Sequence, residues 1–194
     1  NLHSVENALR KVGAEVAVTA DPDVLRSADR IVLPGDGAFP ACRAALGEVD
    51  GMAEALREAV LNRGVPFIGI CVGMQMLATT GYEYRPTAGL DWIGGEVARI
   101  DAPGLKVPHM GWNDLVIDRP HPVLEGIGTG DHAYFVHSYH MIMSKADHLL
   151  AHADYSGDIT AIVGRDNMVG TQFHPEKSAV TGLRLIGNFL SWTP

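Results

Sequence analysis

Up to about residue 80, apolar residues recur either at the spacing of a helix or in short runs typical of buried strands. The first predicted elements are a helix over 5–12 that Ser4 caps and Gly13 ends, a half-buried strand over 15–19, and a helical turn opened by Asp21 and Pro22. A strand over 30–33, an amphipathic helix over 52–63 ended by Gly64, and a strand over 65–70 follow. Because parallel strands need crossover connections, this alternation predicts an α/β fold with an open, mostly parallel sheet and flanking helices.

The second half of the chain has short β-type runs over 97–100, 133–139 and 159–163, separated by Gly, Pro and Asp, which predict an additional antiparallel β region. Ser178 is expected to cap a last helix with an apolar stripe of Leu183, Ile186, Phe189 and Leu190. Since the sequence contains no repeat, linker or low-complexity tract, residues 1–194 are predicted to form a single domain.

The composition argues against several classes of function. The formal net charge is -8 and the 15 Lys and Arg residues are scattered, so no nucleic-acid partner is expected. No apolar run reaches the roughly 20 residues of a membrane span, which predicts no membrane association. The 2 cysteines lack the spacing of a disulfide scaffold, which favours reduced thiols and a cytoplasmic location.

The sequence GICVG over residues 69–73 leaves an apolar strand and enters a predicted helix, which is the context of a nucleophile elbow. Cys71 would project from the sheet, the flanking glycines would leave room for a substrate, and the helix N-terminus would favour the thiolate. The Val72 amide would point at a developing oxyanion. Taken alone, Cys71 would more commonly be a buried structural cysteine, the interpretation that Cys42 keeps because it lies in a helical run without a glycine turn.

A thiol nucleophile needs a base and a group that orients the base, and His174 and Glu176 offer both at a spacing of two. Pro175 disfavours helix at the residue before it, so the segment is expected to be extended, with both side chains on one side. Without its nucleophile, this pair would be a surface histidine and a solvated glutamate. Because the elbow and the pair each supply what the other lacks, catalysis is the favoured interpretation.

Four histidines lie near one another in the sequence, but no set of His and Cys residues has the spacing of a structural zinc site. These histidines are His109, His132, His137 and His140. Neither a metal nor another cofactor is therefore predicted.

Two segments resemble the signatures of the class I, triad-type glutamine amidotransferases: GICVGMQ over 69–75 and GTQFHPEKS over 170–178. Three more resemble the glutaminase subunits of imidazole glycerol phosphate synthase, from histidine biosynthesis: LPGDGAF over 33–39, VPHMGWN over 107–113 and YFVHSY over 134–139. The similarity runs from Asn1 to the C-terminal helix. Residues 1–5 resemble the end of the family's first strand–loop motif, so the first strand is expected to be missing from this chain.

The resemblance implies that Cys71 attacks the side-chain amide of glutamine, releases ammonia and leaves a thioester for water to clear. His174 would serve both steps while Glu176 keeps its ring oriented. The groups implied to bind the substrate are an oxyanion hole from Val72, Gly35, Asp36 and Gly37, and glutamine contacts from Gln75 and the backbone of His137, Ser138 and Tyr139.

Asp36 departs from the family, whose loop commonly carries an apolar residue between the two glycines. A carboxylate facing the oxyanion hole would oppose the developing negative charge, where the loss of even one good donor costs about 3 kcal/mol. The side chain of Asp36 is therefore predicted to point outward.

Ammonia equilibrates with ammonium in water, so an enzyme that makes it for synthesis should pass it directly to an acceptor site, which this chain lacks. The resemblance implies a heterodimer with a cyclase subunit that has a TIM-barrel fold, and a partner ligand that orders the loop over 35–37. Trp112 and Lys177 match family positions at that interface. Taken alone, they could be a partly buried core Trp and a solvated Lys.

Other interpretations stay open. A subunit that feeds anthranilate, carbamoyl phosphate, guanylate or pyridoxal phosphate synthesis would share the triad, although the segment 108–113 argues against it. A cysteine peptidase or γ-glutamyl hydrolase would use the same triad on a larger substrate without a partner. A non-enzymatic binding subunit would keep the fold without turnover, and labelling of Cys71 by a glutamine-analogue electrophile would argue against that.

Overall fold

The computed structural model describes residues 2–194. The helices are α1 (Leu2–Lys11), α2 (Pro22–Arg26), α3 (Phe39–Glu48), α4 (Met52–Arg57), α5 (Val72–Gln75) and α6 (Ala179–Ser191). The strands are β1 (Ile31–Gly35), β2 (Phe67–Cys71), β3 (Thr80–Gly81), β4 (Thr87–Ala88), β5 (Gly95–Arg99), β6 (His109–Asp114), β7 (Val116–Ile117), β8 (His132–His137), β9 (Tyr139–Met143), β10 (Leu149–Asp154), β11 (Asp158–Arg165) and β12 (Met168–Thr171). Helix α4 continues directly into a π-helical turn over Glu58–Asn62.

The central sheet has six strands in the order β1-β2-β12-β11-β10-β7. Strands β1 and β12 flank β2 in parallel, whereas β11, β10 and β7 continue the sheet in antiparallel fashion. All five residues of β2 are buried, as the apolar run predicts for a strand covered on both faces. The predicted α/β class is confirmed, and the antiparallel strands of this mixed sheet come from the second half of the chain.

Two smaller sheets complete the β structure of residues 2–194, with strand orders β4-β3-β5-β9 and β6-β8. The predicted run over 133–139 is divided at Ser138, because β8 pairs with β6 while β9 pairs with β5. The chain thus changes sheets at Ser138, whose carbonyl accepts a hydrogen bond from the Ile100 N–H at 2.9 Å.

Helix α6 buries Ile186 and Phe189 of the predicted stripe, together with Leu185, in one continuous core that also contains Phe67 and Phe173. Leu183 and Leu190 of the stripe are partly buried against this core. Burial of such side chains away from water is the main favourable contribution to folding. Among residues 2–194, no helix combines the length and the apolar character that a membrane crossing requires.

Two local predictions are wrong. The segment 15–19 forms no strand, and Val18 is 52% exposed, because no described strand lies beside this segment to satisfy a ladder of backbone hydrogen bonds. Ser4 lies inside α1, which already includes Leu2, since a serine is tolerated within a helix whose propagation adds hydrogen bonds. Gly13 does end the helix region, with φ of 95°. Asn1, the first residue of the predicted motif over 1–5, lies outside the described residues.

Candidate active site

Cys71 is the last residue of β2 and has a strained backbone, with φ of 55° and ψ of -112°. Three glycines leave the room that this turn requires. A Cβ on Gly73 would lie 1.9 Å from the Leu33 carbonyl oxygen, one on Gly69 2.5 Å from the Gly73 oxygen, and one on Gly35 2.6 Å from the Gly73 nitrogen. Strand β1 can therefore approach the elbow closely only because these positions carry no side chain.

His174 follows β12, the parallel neighbour of β2, so nucleophile and base emerge at the same edge of the sheet. The imidazole lies at the same cleft as the Cys71 thiol and interacts with it, and its Nδ1–H donates to Glu176 Oε1 at 2.8 Å. Burial alone would lower the pKa of His174, but the hydrogen bonds to Cys71 and Glu176 and the charges of both groups raise it to about 9. The arrangement therefore favours an imidazolium at His174 at neutral pH.

The side chain of Glu176 is even more buried than the imidazole that it orients. Its side chain is 1% exposed, and its second oxygen, Oε2, is buried without a hydrogen-bond partner among the described residues. The carboxylate therefore directs its charge at the His174 ring.

Ser178 fixes the backbone of the base. It occupies the N-cap position of α6, as predicted, but its hydroxyl does not cap the helix. The hydroxyl instead donates to the His174 carbonyl at 2.7 Å and accepts the Tyr134 N–H at 3.0 Å, since these partners are buried with it. Predicted as a cap, Ser178 thus ties the catalytic segment to β8.

The predicted influence of a helix N-terminus on Cys71 is weaker than expected. Helix α5 contains only the four residues Val72–Gln75, and a macrodipole builds up from many aligned peptide units. The charge next to the sulfur comes instead from the imidazolium of His174.

A cleft of about 310 Å³ opens in front of the thiol. Its lining includes most residues that the sequence predicts for the oxyanion hole and for glutamine binding. They are Asp36, Gly37, Val72, Gln75, His137, Ser138 and Tyr139. Gly35 is not part of the lining but pairs directly with Cys71 across β1 and β2. Asp36 lies at this cleft and is exposed to solvent.

Gln172, which was not predicted as a site residue, is a completely buried side chain two residues before the base. Its Nε2 donates to Cys71 Sγ at 3.6 Å, and its Oε1 accepts from Gln75 Nε2 at 3.0 Å. Gln75 Nε2 also donates to the Tyr139 carbonyl at 3.1 Å. The available signal was a single amide within the otherwise apolar run before His174.

Glu83 is a second residue of the cleft that was not predicted, and its side chain accepts the Phe39 N–H at 2.8 Å. Glu83 thereby supplies the first turn of α3 with the cap that its own residues lack. No local pattern around residue 83 indicates this role.

Several predicted residues lie outside the cleft lining. Trp112 is 56% exposed on β6 beside Met110, which is 62% exposed, and Lys177 is exposed. Cys42 donates its thiol to the Asp36 carbonyl at 3.2 Å, burial raises its pKa, and it does not line the cleft. Within residues 2–194, no group of three or more His, Cys, Asp or Glu side chains is arranged to hold a metal ion.

Comparisons with known proteins show the family of this chain. The sequence model of the class-I glutamine amidotransferase family matches residues 1–191. The chain is 63% identical to the imidazole glycerol phosphate synthase subunit HisH of Cereibacter sphaeroides and 60% identical to that of Ruegeria pomeroyi, and each match covers 100% of this chain and 95% of the relative. A crystal structure of a glutamine amidotransferase aligns with a TM-score of 0.76 at 23% identity over 98% of this chain and 93% of that one, which shows the shared fold.

Proposed function

We infer the reaction from family membership: this chain belongs to the class-I glutamine amidotransferases and, among them, to the HisH subunits of imidazole glycerol phosphate synthase. It is a glutaminase, which hydrolyses glutamine to glutamate and ammonia for histidine biosynthesis. The assignment of individual residues to this reaction is our proposal. The observation that carries it is the imidazole of His174, which interacts with the Cys71 thiol and is hydrogen bonded to the Glu176 carboxylate.

Cys71 attacks the side-chain amide carbon of glutamine as a thiolate, and the carbonyl oxygen gains negative charge. His174, already protonated, donates its proton to the departing ammonia, which leaves a glutamyl thioester on the sulfur. The neutral imidazole then takes a proton from water, which attacks the thioester and releases glutamate and Cys71. Glu176 holds the ring in position through both steps and stabilises its positive charge.

The developing oxyanion lies next to the Val72 amide, and the loop of Gly35, Asp36 and Gly37 supplies the second side of the hole. Glutamine is held by Gln75 and by the backbone of residues 137–139, which line the cleft.

Glu83 adds the charge that an amino-acid substrate requires. Its carboxylate lies at the same cleft as Gln75, and the free α-ammonium group of glutamine needs an anionic partner when it leaves water. A peptide or polyglutamate substrate lacks that ammonium group at an internal residue, so Glu83 favours free glutamine over the larger substrates of a peptidase or γ-glutamyl hydrolase.

Ammonia passes to a cyclase subunit with a TIM-barrel fold in a heterodimer, and the exposed side chains of Trp112 and Lys177 contact that partner. The partner's bound ligand orders the loop over 35–37, which makes the isolated chain a poor glutaminase. Cys71 must stay reduced for the reaction, which fits a cytoplasmic location.

Steady-state glutamate release tests this proposal, measured for the isolated chain and for the chain with the cyclase subunit and its ligand. The complex should be faster, Cys71→Ala should abolish release, and Cys42→Ala should retain it because the Cys42 thiol does not line the cleft. Equal rates with and without the partner would contradict the coupling. Retained release in Cys71→Ala would contradict the nucleophile.

A further inference from the structure

Two buried histidines outside the catalytic pair form a continuous hydrogen-bonded chain. His109 Nδ1 lies 2.9 Å from His137 Nε2, and His137 Nδ1 lies 2.8 Å from the Tyr139 carbonyl oxygen. At the other end, Asn113 Nδ2 lies 3.1 Å from His109 Nε2. Both rings are almost fully buried, at 3% and 7% exposure, so each of these contacts replaces water.

The direction of every proton in this chain follows from its ends. The Tyr139 carbonyl can only accept, so His137 carries its hydrogen on Nδ1 and offers Nε2 as an acceptor. His109 must then donate from Nδ1, which leaves its own Nε2 to accept from the Asn113 amide. The Asn113 amide is itself oriented, because its Oδ1 accepts the Asp114 N–H at 2.8 Å and its Nδ2 also donates to the Asp154 carbonyl at 2.9 Å.

Both rings are neutral in this arrangement. Burial lowers the pKa of His137 to about 3 and that of His109 to about 4. The His109 ring is also fixed in orientation, since it stacks between Phe135, at a centroid distance of 4.7 Å, and Tyr155, at 4.2 Å. A rigid neutral chain can set the position of an acceptor without adding charge to the site.

The hydrogen-bonded chain through His109 and His137 joins two functional regions. Its inner end, the Tyr139 carbonyl, also accepts from Gln75 in the glutamine cleft. Its outer end lies on β6, where His109 and Asn113 alternate with Met110 and Trp112. His109 and Asn113 lie on the inner face of the strand, and Met110 and Trp112 lie on its exposed face. Any shift of β6 therefore moves both pairs of side chains together.

We propose that His109 and His137 are positioning residues that transmit the position of β6 to the Tyr139 carbonyl and to Gln75, so that a partner seated on the exposed face of β6 sets the glutamine affinity. This proposal rests on the proposed glutaminase function and adds a route of regulation to it.

Glutamate release by the complex with the cyclase tests the proposal with two substitutions of His109. His109→Phe keeps an aromatic ring between Phe135 and Tyr155 but breaks the chain, and the loss of about one hydrogen bond should raise the KM for glutamine about tenfold with a smaller change in kcat. His109→Asn places an amide N–H near the original Nδ1, so it should restore the KM to within about threefold of wild type.

The readouts separate positioning from general damage. The rate at which iodoacetamide alkylates Cys71 should change less than about twofold in His109→Phe, because the chain does not touch the thiol. His121→Phe is the matched control: His121 packs edge-on against Trp192, at a centroid distance of 5.0 Å, outside the cleft lining, and its substitution should leave the KM unchanged.

Nitrogen-15 NMR of the histidine-labelled full chain reads the tautomers directly, even if a variant fails to fold. The proposal expects a hydrogen on Nδ1 of both rings, and a hydrogen on Nε2 of either ring would overturn it. If the wild-type complex releases glutamate and the His109→Phe variant has the same KM for glutamine as the wild type, the proposal is also overturned. A wild-type complex that releases no glutamate would refute the proposed function itself.

Discussion

Replacing Glu176 by Gln isolates the charge of the triad carboxylate from its geometry. The glutamine amide has nearly the same shape, and its oxygen can still accept the His174 Nδ1–H that Glu176 Oε1 now accepts at 2.8 Å. Because the side chain is 1% exposed, water cannot replace the missing charge. The variant should therefore fold and keep the imidazole in place while the imidazolium loses its anionic partner.

The magnitude follows from the type of hydrogen bond. A bond to a charged group contributes about 1.5–3 kcal/mol and a neutral bond about 1 kcal/mol, so the substitution removes roughly 1.4 kcal/mol. That difference lowers the pKa of His174 by about one unit and kcat/KM about tenfold. The sign is fixed, since removing a negative neighbour disfavours the charged imidazole, whose pKa is about 9 in the unaltered site.

The assay is the pH dependence of glutamate release by the complex with its cyclase partner. Activity needs a protonated His174 to protonate the departing ammonia, so kcat/KM should fall as the pH rises through the pKa of His174. In Glu176→Gln this fall should begin about one pH unit lower. Glu176→Ala removes the bond altogether and should lose more activity than Glu176→Gln. An unchanged pH profile, or equal losses in both variants, would refute the role given to the charge.

Three further substitutions, one of them with a control at Gly187, test other parts of the site. Gln172→Leu removes a donor to the sulfur and should lower kcat/KM about tenfold in glutamate-release assays, while unchanged activity would remove Gln172 from the site. Gly73→Ala places a Cβ 1.9 Å from a backbone carbonyl and should lower the free energy of unfolding in urea by about 3 kcal/mol. Gly187→Ala, with open space around it, should not lower that free energy, and equal stability of both variants would contradict the packing argument. Asp36→Val should change the activity of the isolated chain less than about threefold if the carboxylate points outward, and a many-fold increase would contradict that orientation.

Much of the fold could be predicted because periodicity and turn residues act locally. Gly64 and the apolar run before Cys71 both lie where the pattern predicts them, in a left-handed turn and in a fully buried strand. The segment 15–19 shows the limit of that reasoning. Its alternation is correct for a strand, but a strand also requires a neighbour that supplies hydrogen bonds, and the sequence of a segment does not specify its neighbour.

The candidate site divides in the same way. Cys71, His174 and Glu176 are predictable because the chemistry needs those residue types at short spacings. Their local geometry was less predictable, since Pro175–Lys177 forms a 3-10 helix instead of the expected extended segment. Gln172, Glu83 and the chain through His109 depend on which strands meet, and a polar residue in an apolar run does not reveal its partner. Sequence could therefore name the reacting groups but not the hydrogen bonds that hold them.

The central claim is that the sulfur of Cys71 carries the glutamyl group during turnover. Rapid acid quenching of the complex during hydrolysis of carbon-14-labelled glutamine, followed by peptide mapping, tests this directly. The account predicts radioactivity on the peptide that contains Cys71, and loss of that label after treatment with hydroxylamine, which cleaves thioesters. Continued turnover with label on another residue, or with no covalent label at any quench time, would contradict it.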